Sequence, residues 1–340
     1  MEAAFKKLRE LEHLVGNTPM IEIKFKLDGK IRKIFTKLEY YNFSGSIKDR
    51  MALNCLKRAY QTGEIKPDYL ITETTSGNTG IAICAQGSYL GHKSVIFMPD
   101  WMSAERKSMI KSFGANLFLV SREEGGFLGC IEKTEKLLKE GMEGYGGVYC
   151  PDQFGNKYNV EAHYTSTGPE IVKQMDKFGE NIHGFIAGVG TGGTIMGIGS
   201  YLKSVNPNVK VFPLEPESSP TLTTGYRVGV HRIAGISDEF IPAIMNLKEC
   251  DEVIQVDDGD GIIMAQKLSR ELGLGVGISS GANFIGAIMA ADKIGEGANI
   301  VTVFSDDNKK YLSTDYVKEE PIKENFISTR VELLEFKTVR

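Results

Sequence analysis

The chain has 340 residues, 41% of them hydrophobic and 25% charged, which suits one large or two medium globular lobes. Its formal net charge of −4 disfavours binding to nucleic acid or to an anionic membrane, and no apolar run reaches the length of a membrane span. The start of the chain lacks a signal-peptide pattern, and five scattered cysteines without a C-x-x-C pair are typical of a reducing cytosol. We therefore expect a soluble cytoplasmic protein with buried thiols.

Short β-branched or aromatic runs alternate with helical stretches along most of the chain. The predicted strands are 34–38, 69–72, 94–98, 116–120, 185–189, 209–214, 253–256 and 300–304. The predicted helices begin near Lys48 or cover about 78–89, 104–113, 129–140 and 283–291. This alternation predicts an α/β protein with two lobes, each a mostly parallel sheet flanked by helices, and a cleft between them. Loops at the carboxyl ends of such strands are the expected ligand sites.

The first motif is Ser46-Ile47-Lys48-Asp49-Arg50, where a lysine stands at the start of a helix after the polar loop 42–45. A lysine between small polar residues can be partly desolvated, which suits it to Schiff-base chemistry. The alternative is an ordinary helix start, with Asp49 at the positive end of the helix dipole. This motif alone leaves both interpretations open.

The second motif is the loop 74–80, Thr-Thr-Ser-Gly-Asn-Thr-Gly, between a predicted strand and a predicted helix. Hydroxyls and backbone N–H groups at a helix N-terminus form an anion site of a size that suits a carboxylate. The alternative is an elaborate helix N-cap, for which one capping residue would suffice.

The third motif is the loop 188–194, Gly-Val-Gly-Thr-Gly-Gly-Thr, which also follows a predicted strand and precedes a helix. Its glycines let the backbone approach a phosphate, and the helix dipole favours the negative charge. It also contains G-x-G-x-x-G, and Glu215 follows at the spacing of a dinucleotide fingerprint, so an NAD-dependent dehydrogenase is an alternative. A glycine-rich turn without a ligand is a second alternative.

The fourth motif, residues 277–282, is a common helix-cap sequence by itself. Together the four motifs provide a lysine for an aldehyde, a glycine cup for a phosphate and a pocket for a carboxylate. These are the groups that pyridoxal phosphate and an amino-acid substrate require.

The order of the motifs resembles the cysteine synthase and cystathionine β-synthase family, pyridoxal-phosphate enzymes of fold type II with the tryptophan-synthase-β-like fold. The resemblance runs from 15–19 to 311–314, and further marks lie at 98–99, 102–106, 113–115, 153–154 and 167–171. It implies a smaller mobile lobe at 46–155 with the substrate-carboxylate loop and a larger lobe at 1–45 plus 156–316 with the phosphate loop. The active site would lie in the cleft between the lobes. We expect the charged tail 317–340 to pack against a neighbour or to fray.

The resemblance also implies the roles of individual residues. Lys48 would form the Schiff base with pyridoxal 5′-phosphate and later remove the α-proton of the substrate. The other cofactor-binding residues would be Asn78, Gly190, Thr191, Gly192, Gly193, Thr194 and Ser279. The substrate-binding residues would be Thr75, Ser76, Gly77, Thr79, Gln153 and Gly235. A serine opposite the pyridine nitrogen, at Ser279, would favour loss of a β-substituent, giving an α-aminoacrylate, over transamination.

One departure from the family pattern concerns the chemistry directly. Ser237-Asp238-Glu239 stands where cysteine synthases carry small residues, in a loop that borders the active-site mouth in that family. An acid there would repel hydrosulfide but could accept a proton from water. Our hypothesis is that Asp238, in preference to Glu239, activates water, so that L-cysteine and water give L-serine and hydrogen sulfide. A solvated acidic turn is the alternative, and a plain cysteine synthase using O-acetylserine would share all the other residues.

The partners expected from the sequence and the resemblance are few. We expect a small amino-acid substrate and a homodimer, with no nucleic acid, no membrane and no metal site, since the five histidines lack ligand spacing. Whether the chain binds a serine acetyltransferase, and whether lanthionine, cyanoalanine or diaminopropionate is a product, stays open at this point.

Overall fold

The computed structural model describes residues 1–226 and 228–340, and these residues divide into two compact units. Unit 1 comprises Met1–Gly16 and Asn42–Asn159, and unit 2 comprises Asn17–Tyr41 and Val160–Arg340. The strands are β1 (Met20–Leu27), β2 (Lys30–Leu38), β3 (Tyr69–Thr74), β4 (Ser94–Pro99), β5 (Asn116–Val120), β6 (Gly147–Tyr149), β7 (Gly184–Gly188), β8 (Lys210–Pro216), β9 (Ile254–Val256), β10 (Ile300–Phe304) and β11 (Val331–Val339). The α-helices are α1 (Glu2–Glu12), α2 (Lys48–Thr62), α3 (Asn78–Leu90), α4 (Ala104–Ser112), α5 (Gly126–Glu140), α6 (Lys157–Ala162), α7 (Gly168–Phe178), α8 (Gly193–Val205), α9 (Thr221–Thr224), α10 (Asp258–Leu272) and α11 (Ile278–Ile294).

Unit 1 is built on a parallel sheet with the strand order β5-β4-β3-β6. Successive side chains of β4 point to opposite faces, and both faces are buried. Val95 and Phe97 pack in a cluster with Cys130 of α5, whereas Ile96 and Met98 pack with residues of α3 and α4. The apolar run therefore forms a central strand that helices cover on both sides.

Unit 2 is built on a sheet with the order β11-β1-β2-β10-β7-β8-β9. In this sheet the neighbouring strands β2, β10, β7, β8 and β9 are parallel. Strand β1 pairs antiparallel with both β2 and β11. Helix α11 contacts β7 and β10, and its Phe284 packs edge-to-face on Phe25 of β1 at 5.2 Å between ring centroids. The glycine cup and the start of α11 thus lie at the carboxyl ends of parallel strands.

The predicted α/β class with parallel sheets flanked by helices is confirmed, and β5 and β10 have the bounds expected from the sequence. At the end of the chain, β11 forms an edge strand that is hydrogen-bonded to β1. Residues 1–16 belong to unit 1, since α1 packs against α2 and α3, whereas the sequence placed them with the larger lobe. Over the described residues, no helix combines the length and apolarity needed to span a membrane.

Candidate active site

Lys48 is the first residue of α2 and is half-buried. The loop before it is fixed by the buried carboxylate of Asp49, which accepts hydrogen bonds from the backbone N–H groups of Ser44 (2.8 Å) and Ser46 (3.4 Å). Gln86 of α3 donates its side-chain amide to the backbone and carboxylate oxygens of Asp49. The lysine therefore stands at a helix N-terminus whose preceding loop is held by its sequence neighbour.

The loop between β3 and α3 is organised by Thr75. Its buried hydroxyl oxygen accepts hydrogen bonds from the N–H groups of Gly77 (2.9 Å) and Gly80 (3.3 Å), so it performs part of the capping of α3. Gly77 has a φ of 150°, and a Cβ there would come within 2.3 Å of Arg106 Cδ. The N-cap residue of α3, Gly77, makes no side-chain cap hydrogen bond.

Thr79 and Gln153 are brought together although 74 positions separate them in the chain. The Thr79 hydroxyl donates to Gln153 Oε1 at 2.5 Å, and Gln153 Nε2 donates to the carbonyl oxygen of Thr74 at 2.6 Å. Both side chains are buried. Unit 1 thus assembles two of the predicted carboxylate-binding residues beside the loop that contains the others.

Glu73, which the sequence analysis did not single out, lies directly behind this loop at the end of β3. Its fully buried carboxylate accepts hydrogen bonds from the N–H groups of Thr74 (3.0 Å) and Gln153 (3.3 Å). Burial, reinforced by the charge of Asp152, raises the pKa of Glu73 to about 8. A glutamate near the end of a buried strand was the one signal in the sequence that could have identified it.

The glycine cup, residues 188–194, joins β7 to α8 in unit 2. Gly192 precedes the first turn of α8 with a φ of 89° and provides no side-chain cap. A Cβ on Gly190 would lie 2.4 Å from the carbonyl oxygen of Gly235, so only glycine fits there. The cup therefore presents a helix N-terminus without an N-cap side chain, beside the hydroxyls of Thr191 and Thr194, as a phosphate requires.

His163 is a second residue that the sequence analysis left without a role. Its Nε2 lies 3.3 Å from Thr194 Oγ1 of the cup, and its Nδ1 lies 2.9 Å from Thr167 Oγ1. The segment His163–Thr167 forms a π-helix, a local distortion that often occurs at functional sites. No spacing in the sequence predicts such a segment.

Ser279 is the second residue of α11 and is buried. The start of this helix is fixed by Asn283, whose Oδ1 accepts from the N–H of Gly188 at 2.8 Å and whose Nδ2 donates to the carbonyl of Val303 at 2.8 Å. Ser279 therefore lies on a helix that is hydrogen-bonded to Gly188, the last residue of β7 and the first residue of the glycine cup.

The loop 235–239 carries Asp238, which is half-buried. Ser237 donates its backbone N–H to Val189 O at 2.8 Å, directly beside the cup. The carbonyl oxygen of Gly235, in the same loop, lies close to Gly190, as described above. The structure thus brings the backbone of the loop that carries Asp238 into contact with the glycine-rich loop 188–194 within unit 2.

Glu215, the residue whose spacing supported the dehydrogenase alternative, has a structural role. The buried carboxylate of Glu215 accepts hydrogen bonds from Leu222 N (2.6 Å), from the backbone and hydroxyl of Thr223, and from Gln255 Nε2 (3.1 Å). It holds the start of α9 and is not placed to bind a ribose. Glu215 therefore has a structural role, and its position about twenty residues after the glycine-rich loop only coincides with the spacing of a dinucleotide fingerprint.

The residues present fit pyridoxal phosphate. Unit 1 supplies an amino group at a helix start, at Lys48, and a hydroxyl- and amide-rich loop for an α-carboxylate. Unit 2, taken by itself, contains a glycine-rich loop at a helix N-terminus that suits a phosphate, and a buried serine, Ser279. Over the described residues, no group of three or more His, Cys, Asp or Glu side chains could hold a metal ion.

Comparison with known proteins agrees with this fit. Residues 11–306 match the family model described as pyridoxal-phosphate dependent enzyme. A cysteine synthase of Staphylococcus aureus is 39% identical over 311 residues, which cover 92% of this chain and 97% of that protein. A cysteine synthase of Entamoeba histolytica has a TM-score of 0.82 and 34% identity over 94% of each chain.

A solved hydrogen sulfide-producing enzyme from Fusobacterium nucleatum is more similar, with a TM-score of 0.95 and 58% identity over 99% of both chains. An aspartate-to-asparagine mutant of that enzyme, in a lysine-dimethylated form, was solved in complex with an α-aminoacrylate intermediate. The family match and these similarities, taken with the four motifs, establish that this chain belongs to the pyridoxal-phosphate-dependent enzymes of the cysteine synthase type.

Proposed function

We propose that this enzyme converts L-cysteine and water into L-serine and hydrogen sulfide by β-replacement. The C–S bond of the substrate breaks, a C–O bond forms at the same carbon, and the sulfur leaves as hydrogen sulfide. The observation that carries the proposal is the position of Asp238 on a loop whose backbone is hydrogen-bonded to Val189 beside the glycine cup.

The proposal gives each site residue one task. Pyridoxal phosphate, when bound, supplies the electron sink that stabilises the carbanion left by loss of the α-proton. Lys48 would hold the cofactor aldehyde and remove that proton, and Asn78 would hydrogen-bond the oxygen on the cofactor ring. The residues from Gly190 to Thr194 would bind the phosphate and Ser279 the ring nitrogen. The residues that would bind the carboxylate of the substrate are Thr75, Ser76, Gly77, Thr79 and Gln153. Gly235 would contact the substrate at the entrance of the active site.

Asp238 would select the nucleophile. Hydrosulfide is an anion that needs no base, and a carboxylate repels it. Water is a poor nucleophile until a base accepts its proton, and such general-base assistance contributes about 10²–10⁴ in rate. An aspartate in this loop therefore favours water over sulfide as the group that adds to the α-aminoacrylate.

The similarity to the enzyme from Fusobacterium nucleatum supports hydrogen sulfide as a product. That enzyme is described as hydrogen sulfide-producing, and an aspartate-to-asparagine mutant of it was captured with an α-aminoacrylate. For this chain we propose both sulfide release and an aspartate, Asp238, that acts after it.

A plain cysteine synthase is the second candidate function, because curated cysteine synthases are 39% identical to this chain over nearly its whole length. In that case O-acetylserine and sulfide would give cysteine and acetate. The homodimer, the cytoplasmic location and the cleft between two lobes stay predictions.

Product analysis distinguishes the two functions. The purified enzyme is incubated with L-cysteine alone and, in parallel, with O-acetylserine plus sulfide, and amino acids and sulfide are quantified. We expect equal amounts of serine and sulfide from cysteine, with a much higher kcat/KM than for cysteine synthesis. Cysteine synthesis at the higher kcat/KM, with no serine from cysteine, would contradict the proposal.

A further inference from the structure

We propose that Ser237 and His231 are positioning residues for Asp238, which fix the backbone of the loop so that the carboxylate is held for water activation. This inference rests on the proposed function, because it assumes that Asp238 acts on water. It adds residues that touch neither substrate nor cofactor and act through Asp238.

Every polar atom of Ser237 takes part in a hydrogen bond. Its N–H donates to Val189 O (2.8 Å), and its hydroxyl donates to Ser219 O (2.7 Å). Its carbonyl oxygen lies 2.9 Å from Nε2 of His231, which must be the donor because a carbonyl can only accept. The hydroxyl oxygens of Ser237 and Thr221 lie 3.2 Å apart.

These bonds hold an unfavourable backbone conformation. Ser237 has a φ of 54°, in the left-handed region that a residue with a Cβ rarely adopts. The other non-glycine residues with positive φ in the described ranges are Asn17, Asp28 and Asp152, types that tolerate this region. Strain of this kind persists only where surrounding contacts enforce it, and it concentrates at functional sites.

The groups that hold Ser237 are themselves anchored. Arg232, next to His231, donates its backbone N–H to the buried carboxylate of Asp258 at 2.8 Å. Its guanidinium forms a bidentate ion pair with Glu320, with distances of 2.7 Å from Nη1 to Oε2 and 2.6 Å from Nη2 to Oε1. His231 is therefore attached to α10 and to the C-terminal segment, and not only to its own loop.

Thr221 provides a second anchor from a different element. It begins α9, whose first turn is held by the buried Glu215. The Thr221 hydroxyl donates to the carbonyl oxygen of Asp238 itself at 3.3 Å, and its oxygen lies beside the Ser237 hydroxyl. Two independent supports thus converge on Ser237 and Asp238, more than a solvated acidic turn needs.

The test separates the two halves of the reaction in the holoenzyme. Ser237→Gly removes the hydroxyl and allows the left-handed φ without strain, and Asp28→Gly is the matched control because it relieves a φ of 50° in the β1–β2 turn. His231→Leu removes the donor to Ser237, and His231→Gln replaces it with an amide donor. Release of sulfide in the first turnover reports elimination, steady-state serine formation reports water addition, and thermal melting of the enzyme without cofactor reports folding.

For Ser237→Gly we expect an unchanged or higher melting temperature, sulfide release within about twofold of the parent, and serine formation at least about tenfold slower. His231→Leu should show the same split, His231→Gln should recover part of the loss, and Asp28→Gly should leave both steps unchanged. Unchanged serine formation in Ser237→Gly and His231→Leu, or an equal loss in both steps, would overturn the positioning role while the proposed function stands. A parent enzyme that makes no serine from cysteine would overturn the proposed function, and the inference with it.

Discussion

The backbone N–H of Ser237 donates a 2.8 Å hydrogen bond to the carbonyl oxygen of Val189. This bond joins the loop that carries Asp238 to the residue that follows β7 and precedes Gly190. The carbonyl of Gly235 packs so closely on Gly190 that no side chain fits between them. The loop that carries Asp238 is thereby fixed to the glycine-rich loop 188–194.

The lysine assignment predicts a loss of covalent cofactor binding in Lys48→Arg. Arginine keeps the positive charge but cannot form the Schiff base, so the variant should lose the yellow absorbance of the parent. Borohydride treatment followed by mass spectrometry should add the cofactor mass to the parent only. Lys57→Arg, in the same helix but partly exposed and paired with Glu12, is the control and should behave like the parent. A cofactor adduct retained in Lys48→Arg would refute the assignment.

The close backbone contact at the cup predicts weaker phosphate binding in Gly190→Ala. The added Cβ would lie 2.4 Å from the Gly235 carbonyl, and overpacking of this kind costs about 1–3 kcal/mol. We expect the Kd for pyridoxal phosphate, measured by fluorescence titration of the enzyme without cofactor, to rise about tenfold or more. Gly179→Ala, which has a φ of 71° and open space, should lower stability but leave this Kd unchanged. Equal Kd values for Gly190→Ala and the parent would contradict the role of the cup.

The hydrogen bond between Thr79 and Gln153 predicts a coupled effect on folding and substrate binding. Thr79→Val removes a buried donor and leaves Gln153 Oε1 without that bond, which should lower the free energy of unfolding by about 1–3 kcal/mol. The KM for L-cysteine should rise more than kcat falls if these residues bind the carboxylate. Thr62→Val, at an exposed position of α2, is the control and should change neither quantity appreciably. An unchanged KM in Thr79→Val would remove Thr79 from the substrate site.

The buried Glu73 predicts a pH dependence of stability with a defined sign. Its pKa is raised to about 8, chiefly by burial, so between about pH 4.5 and pH 8 the folded state keeps a proton that the unfolded state has lost. Stability from this group is therefore fully present below the unfolded pKa and falls as the pH rises to about 8.

Glu73→Gln imitates the protonated form and should remove that dependence. The unfolding free energy of the parent should fall relative to the variant by up to about 1.4 kcal/mol per pH unit across this window. Denaturant titrations from pH 5 to pH 9 measure the difference, with the exposed Glu140→Gln as the control. Parallel pH profiles for the parent and Glu73→Gln would show that Glu73 ionises normally.

The strands that the sequence predicted well are those whose apolar runs are buried on both faces. In β4, Val95 and Phe97 pack on one side while Ile96 and Met98 pack on the other, which produces an uninterrupted apolar pattern. Strand β11 has no such pattern, because only Val331 and Leu333 of its nine residues are buried. It is recognisable only through its pairing with β1, where Lys24 and Glu335 meet across a distance of 311 positions in the chain.

The candidate site was predictable where a local motif carries the chemistry, as in the lysine, threonine-rich and glycine-rich loops. Glu73, His163 and Ser237 were not predicted to act, because each depends on burial or on a partner from a distant segment. For Ser237 the deciding feature is a backbone angle, which no residue pattern encodes. The false dinucleotide fingerprint had the same origin, since only the folded chain places Glu215 under α9.

The central claim is that Asp238 activates water, and Asp238→Asn tests it most directly. The amide keeps the size of the side chain but cannot accept the proton of water, so serine formation from L-cysteine should fall at least about 100-fold. Release of one equivalent of sulfide per active site should persist, because the earlier steps do not need this carboxylate. Serine formation at an undiminished rate, with the same sulfide release, would contradict the account.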